Sequence, residues 1–120
     1  MKIAISTTGQ SKESQLDKRF GRCEYFLIYD TETQEYKAVS NNGVSSQGGA
    51  GIAAASQVID ENVSVIITGN LGPNAFELIE KAGIEAYSCE VLSAFRAIEM
   101  FQKNQLETIS SAGNSHQGMK

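Results

Sequence analysis

Two short stretches, Lys2–Ser6 and Val63–Thr68, are nearly continuous runs of apolar, β-branched residues. Strands with helices packed on both sides of a mainly parallel sheet read this way, since neither face meets water. Tyr25–Asp30 and Glu35–Ser40 are aromatic and β-branched and flank the polar tetrapeptide 31–34, a pattern that predicts an antiparallel hairpin. Glu85–Cys89 is half polar and suits a sheet edge. Three segments instead repeat their apolar residues at spacings of three and four: Ile52–Asp60, Asn74–Lys81 and Ser93–Lys103. Each predicts an amphipathic helix lying on the sheet. Gly83 stands where a left-handed cap would end the second helix. Strand–helix–strand units joined by short loops cross over right-handed. The pattern therefore predicts a three-layer α/β/α domain over residues 1–109. Its mixed five-stranded sheet would contain an antiparallel hairpin and carry three main helices. Ser110–Lys120 has no periodicity and little to bury, which predicts a disordered tail.

Composition narrows the function. Of 120 residues, 41% are hydrophobic and 20% charged, as in ordinary globular chains. The net charge of -4 opposes nucleic-acid and anionic-membrane binding, which need excess Lys and Arg. No apolar run approaches the ~20 residues of a membrane span, and the N-terminus lacks signal-peptide features. A cytoplasmic setting is expected, with Cys23 and Cys89 as reduced thiols.

Three segments rich in glycine follow or precede the expected elements: 17–23, 47–51 and 68–74. Loops beyond the carboxyl ends of parallel strands are where open α/β sheets bind ligands. Glycine there lets backbone N–H groups approach a ligand, and helix N-termini add a positive dipole end. The candidate binding residues are Arg19, Phe20, Gly21 and Cys23 in the first segment and Gly48, Gly49, Ala50 and Gly51 in the second. Gly69, Asn70, Gly72 and Asn74 complete the set in the third. An anion held by these amides would find Lys18, Arg19 or Arg22 nearby. Glycine-rich turns also serve simply as tight corners, with Pro73 suited to a first helical turn. Neither the P-loop nor the dinucleotide fingerprint is present. His116, the single histidine, lies in the expected tail, so no Ser-His-Asp or Cys-His pair can form on the core. No Cys-x-x-Cys or paired-histidine spacing exists. Cys23 follows Arg22, and a cationic neighbour favours the metal-binding thiolate. The same thiol would also serve as a small apolar filler at the start of a strand.

Four stretches, 1–5, 19–26, 48–51 and 67–76, together resemble the dinitrogenase iron–molybdenum cofactor biosynthesis family, over Met1 to about Leu106. The resemblance implies a ribonuclease H-like fold and a small, non-catalytic binding or carrier protein. Its cargo would be an iron–sulfur or iron–molybdenum-type cluster or precursor, with cluster-assembly proteins as partners. Members of that family often have His-Phe-Gly where this chain has Arg19-Phe20-Gly21, so a fixed charge without a metal-binding lone pair replaces the imidazole. Cys23 is then the metal-ligand candidate. A single thiolate falls short of the about four that commonly hold a cluster, so binding is expected to be labile. Two other readings use the same residues: a small enzyme or sensor binding an anionic metabolite at the glycine loops, and a purely structural or interaction module.

Overall fold

The computed structural model describes residues 1–43 and 49–111. Gly48, His116 and nearly all of the expected tail lie outside the described residues. The strands are β1 (Lys2–Thr7), β2 (Tyr25–Asp30), β3 (Glu35–Ser40), β4 (Val65–Thr68), β5 (Glu85–Ser88) and β6 (Glu107–Thr108). Three helices, α1 (Ala50–Asp60), α2 (Pro73–Lys81) and α3 (Ala94–Gln102), and one 3₁₀ turn at Phe20–Arg22 complete the described elements.

The six strands form one mixed sheet in the order β3-β2-β1-β4-β5-β6. β1 pairs antiparallel with β2, placing Ile5 beside Leu27, and parallel with β4, placing Ile5 beside Ile67. β4 and β5 run parallel, Ile66 beside Ala86. The strand period of two then sends alternate side chains to opposite faces. Ala4, Phe26, Ile28 and Ile66 meet Ala54, Val58, Ala75 and Ile79 of α1 and α2. Ile3, Ile5, Leu27 and Ile67 meet Ala94, Ala97 and Ile98 of α3. Both faces of β1 and β4 are covered, which is why their sequences lack polar alternation.

Two expectations need correction. The sheet has six strands rather than five, and Glu85–Cys89 is not the edge: β5 lies between β4 and β6. β6 is only two exposed polar residues, so it has no hydrophobic signature. Backbone pairing of Glu107 with Ser88 and the packing of Ile109 against the α2-side core hold it in place. Helix ends shift by one or two residues from the expected bounds. Ser93 sits outside α3 as its cap, accepting from the Arg96 N–H at 3.2 Å. No helix among the described residues is long and apolar enough to cross a membrane.

Candidate functional site

The three glycine segments converge. The 3₁₀ turn is anchored by Phe20, 3% exposed, whose ring packs 5.2 Å from that of Phe26. This fixes the backbone of the turn against the start of α1. A Cβ on Gly21 would stand 2.9 Å from the Gly51 nitrogen and 3.1 Å from its Cα, so only glycine lets the two backbones meet this closely. α1 begins after Gly49, whose φ of 72° lies in the left-handed region that glycine adopts without strain. α2 begins after Gly72 with Pro73 in its first turn. Glycine has no side chain with which to cap a helix, so the first amides of α1 and α2 receive no N-cap side-chain bond.

Between these elements lies a cleft of about 310 Å³. Arg19, Phe20 and Gly21 form one wall, Gly49, Ala50 and Gly51 the second, and Asn70, Gly72 and Asn74 the third. Ile52, Pro73 and Ala75 add apolar surface that the sequence reading did not single out. Of the described candidate residues, Gly69 and Cys23 do not line the cleft. Gly69 packs against Lys18, and an added Cβ would come within 2.6 Å of the Lys18 Cα.

Arg19 is held by a residue to which the sequence analysis assigned no role. Asp17, 7% exposed, accepts from the Arg19 backbone N–H at 2.9 Å, Nε at 3.1 Å and Nη2 at 2.9 Å. Burial pushes the Asp17 carboxyl up, but the hydrogen bonds and charge of Arg19 outweigh it and leave the group below its usual range. Beneath the pair, Asp17 and β1 exchange bonds: the Asp17 N–H donates to the Ser6 carbonyl at 2.8 Å, and Ser6 Oγ donates to the Asp17 carbonyl at 2.7 Å. Thr68 Oγ1 lies 2.7 Å from Ser6 Oγ and supplies its hydrogen, since Ser6 has spent its own. This buried hydroxyl pair bolts the first segment to the ends of β1 and β4. The spacing Arg19-x-Asp17 was a visible signal for the ion pair; the Ser6–Thr68 contact spans 62 residues and left no local trace.

Cys23 lies outside the cleft lining, placed as the small apolar filler that was one of its two readings. It is fully buried, its Sγ donating to the Phe20 carbonyl at 3.4 Å. Burial first, and the nearby Asp17 carboxylate second, push its thiol up to about 12, opposed by a weak bond from Asn41. Asn41, 3% exposed, also donates to the carbonyls of Gly21 at 3.1 Å and Cys23 at 2.9 Å, stapling the turn from behind. Cys89 is buried as well, with a thiol raised by desolvation. No group of three His, Cys, Asp or Glu side chains able to hold a metal occurs among the described residues.

The family model described as dinitrogenase iron-molybdenum cofactor matches residues 1–104. The chain belongs to this family. An uncharacterized protein of Methanocaldococcus jannaschii is 32% identical over 110 residues, 89% of this chain and 90% of that one. Among solved structures, the apo form of the orange protein from Desulfovibrio gigas superposes with a TM-score of 0.88 at 30% identity, covering 92% of this chain and 93% of that one. A putative NifB protein from Thermotoga gives 0.84 at 32% identity, with 95% and 97% covered. A putative dinitrogenase from Methanocaldococcus jannaschii gives 0.71 at 26% identity, with 92% and 96% covered. The residues matched by the iron-molybdenum cofactor family span β1 to β5, the three helices and all three glycine segments.

Proposed function

We propose that the cleft holds a preassembled, anionic metal–sulfur cluster or cofactor precursor as cargo, without catalysing a reaction on it. The observation that carries this reading is the convergence of Arg19 with the uncapped starts of α1 and α2 on one small cleft, in a chain of the iron-molybdenum cofactor family. Backbone amides at helix N-termini and a guanidinium are donors suited to sulfide or oxide anions on a cluster surface. Ile52, Pro73 and Ala75 give the apolar contact that soft sulfur favours. The donor set among the described residues does not favour direct coordination: none of those lining the cleft is a cysteine or histidine, and Cys23 lies behind it with its thiol raised by burial. The cargo would therefore keep its own ligands and be held from outside them, which suits release to an assembly partner.

Anaerobic incubation with iron, sulfide and a small thiol, followed by gel filtration and iron and sulfide analysis, tests this. Wild type and Cys23→Ser should retain the cluster equally, while Arg19→Ala should retain less and lose more as salt rises. Retention abolished by Cys23→Ser and unchanged by Arg19→Ala would overturn the outer-sphere arrangement. The anionic-metabolite reading uses the same donors, and no retention of cluster by wild type would transfer the cleft to it.

A further inference from the structure

A second and larger crevice, about 690 Å³, opens beyond the carboxyl ends of β4 and β5. Its position follows from the topology. β4 is followed by α2, which lies on one face of the sheet, and β5 by α3, which lies on the other. Two adjacent parallel strands whose chains leave toward opposite faces must part their loops, and the gap between them is the general ligand site of open α/β sheets. Here the loops part at Asn70 and Glu90, after the last backbone bond between the strands, Cys89 N–H to the Thr68 carbonyl at 2.9 Å, and a side-chain bond from Ser88 Oγ to the Gly69 carbonyl at 3.1 Å. The volume lies within the usual range of small-molecule sites, roughly 300–1,000 Å³.

The lining is specific in sign. Lys18 is one wall, and its ammonium has no ion-pair or hydrogen-bond partner among the described residues. Glu90 and Glu107 lie in the same lining, and neither makes a salt bridge among the described residues. Arg96, also in the lining, is already paired with Glu99 through Nη1. The start of α3 offers no spare amides, because Ala94 and Phe95 donate to the Ser14 and Lys12 carbonyls and Arg96 to Ser93. Recognition of charge must come from side chains: Lys18 and the remaining nitrogens of Arg96 on one side, the two glutamates on the other. A simple anion would meet the two glutamates and a simple cation would meet Lys18. A molecule carrying both charges satisfies both. Leu92, Met100 and Leu106 supply an apolar stretch, and the side-chain amides of Asn70 and Gln105 make no bond among the described residues.

We propose that this crevice is a second binding site, for a zwitterionic short peptide of two or three residues. Its carboxylate would lie at Lys18, its ammonium toward Glu90 and Glu107, its peptide groups on Asn70 and Gln105, and an apolar side chain on Leu92, Met100 and Leu106. The site adjoins the cargo cleft, the two sharing Asn70 and no other lining residue.

The test is a titration of uniformly ¹⁵N-labelled full-length chain with alanyl-leucine, N-acetyl-alanyl-leucine and alanyl-leucinamide, followed by amide chemical shifts. Alanyl-leucine should give saturable shifts at Gly69, Asn70, Cys89 and Leu106, and each blocked peptide should bind about two- to fivefold more weakly, as expected for one exposed ion pair lost. Lys18→Met should remove the advantage of the free carboxylate, and the Glu90→Gln, Glu107→Gln double variant that of the free ammonium. These side chains are exposed, and the blocked-peptide comparison on wild type stands even if a variant misfolds. Absence of saturable shifts up to about 10 mM peptide, equal binding by the blocked peptides, or shifts confined to Gly21 and Gly51 would each overturn the proposal.

Discussion

Gly21→Ala adds one methyl where the 3₁₀ turn meets the first turn of α1. The new Cβ would lie 2.9 Å from the Gly51 nitrogen and 3.2 Å from the Ala50 carbonyl carbon, both backbone atoms that cannot rotate away. Restoring ordinary separation, about 3.4 Å or more, requires the turn and helix to part by roughly half an ångström, and overpacking of this kind costs about 1–3 kcal/mol. Against this stands a gain. Gly21 does not occupy the left-handed region, so alanine loses less unfolded-chain entropy, a benefit of about 0.4–1 kcal/mol. Because both close contacts are with backbone, the steric term lies toward the upper end of its range, about 2–3 kcal/mol, and the net loss is about 1–2 kcal/mol. For a domain of this size that lowers Tm by on the order of 5–10 °C. Gly72→Ala is the control within the same cleft: its Cβ meets nothing within 4 Å and its φ of -71° suits alanine. It should change stability by less than about 0.5 kcal/mol. Urea unfolding followed by circular dichroism measures both. The parted cleft should also retain less cluster in the Gly21 variant. A Gly21→Ala protein as stable as wild type would show that α1 does not rest on the turn, and the cleft geometry derived from that contact would be wrong.

Ile67→Ala empties a fully buried position between β1 and β5 and should cost about 2–5 kcal/mol, read as a lower urea midpoint at unchanged slope; a loss under about 1 kcal/mol would contradict the central placement of β4. Asp17→Asn should destabilise the protein at neutral pH. Because the folded Asp17 carboxyl is lowered, its stabilisation is present above the ordinary value of 3.8 and is lost as pH falls through the lower folded value. Wild-type and variant stabilities should accordingly converge under acid, and a gap that stays constant to below that range would rule out the ionised carboxylate as its source. Cys23 should resist a thiol reagent in the native protein at pH 8 and react once urea unfolds it. Its folded thiol is raised to about 12 from an ordinary 9.0, so wild type should lose stability relative to Cys23→Ala as pH rises between those values; rapid native labelling would mean that the turn opens.

Local patterning determined the elements that bury large apolar faces. β1, β4 and the β2–β3 hairpin were legible because continuous or aromatic runs have few other uses, and the three helices because spacings of three and four build one sticky face. The glycine clusters marked the loops of the cleft for a similar reason: few other residues allow such close backbone approach. What the sequence could not settle was everything decided by partners distant along the chain. β6 exists through backbone bonds to β5 and the anchoring of Ile109, and two exposed polar residues carry no pattern of their own. Cys23 could be read from its neighbours either as a cation-activated thiol or as a small apolar filler, and its burial beneath Phe20 and Asn41, which raises the thiol, comes from residues the local sequence does not pair with it. Arg19 read as an open charge, while Asp17, fixed by Ser6 and Thr68 across the sheet, holds it at the cleft wall. The crevice at the ends of β4 and β5 depends on α2 and α3 leaving toward opposite faces, a choice made only when each helix finds the side of the sheet that its apolar stripe can cover.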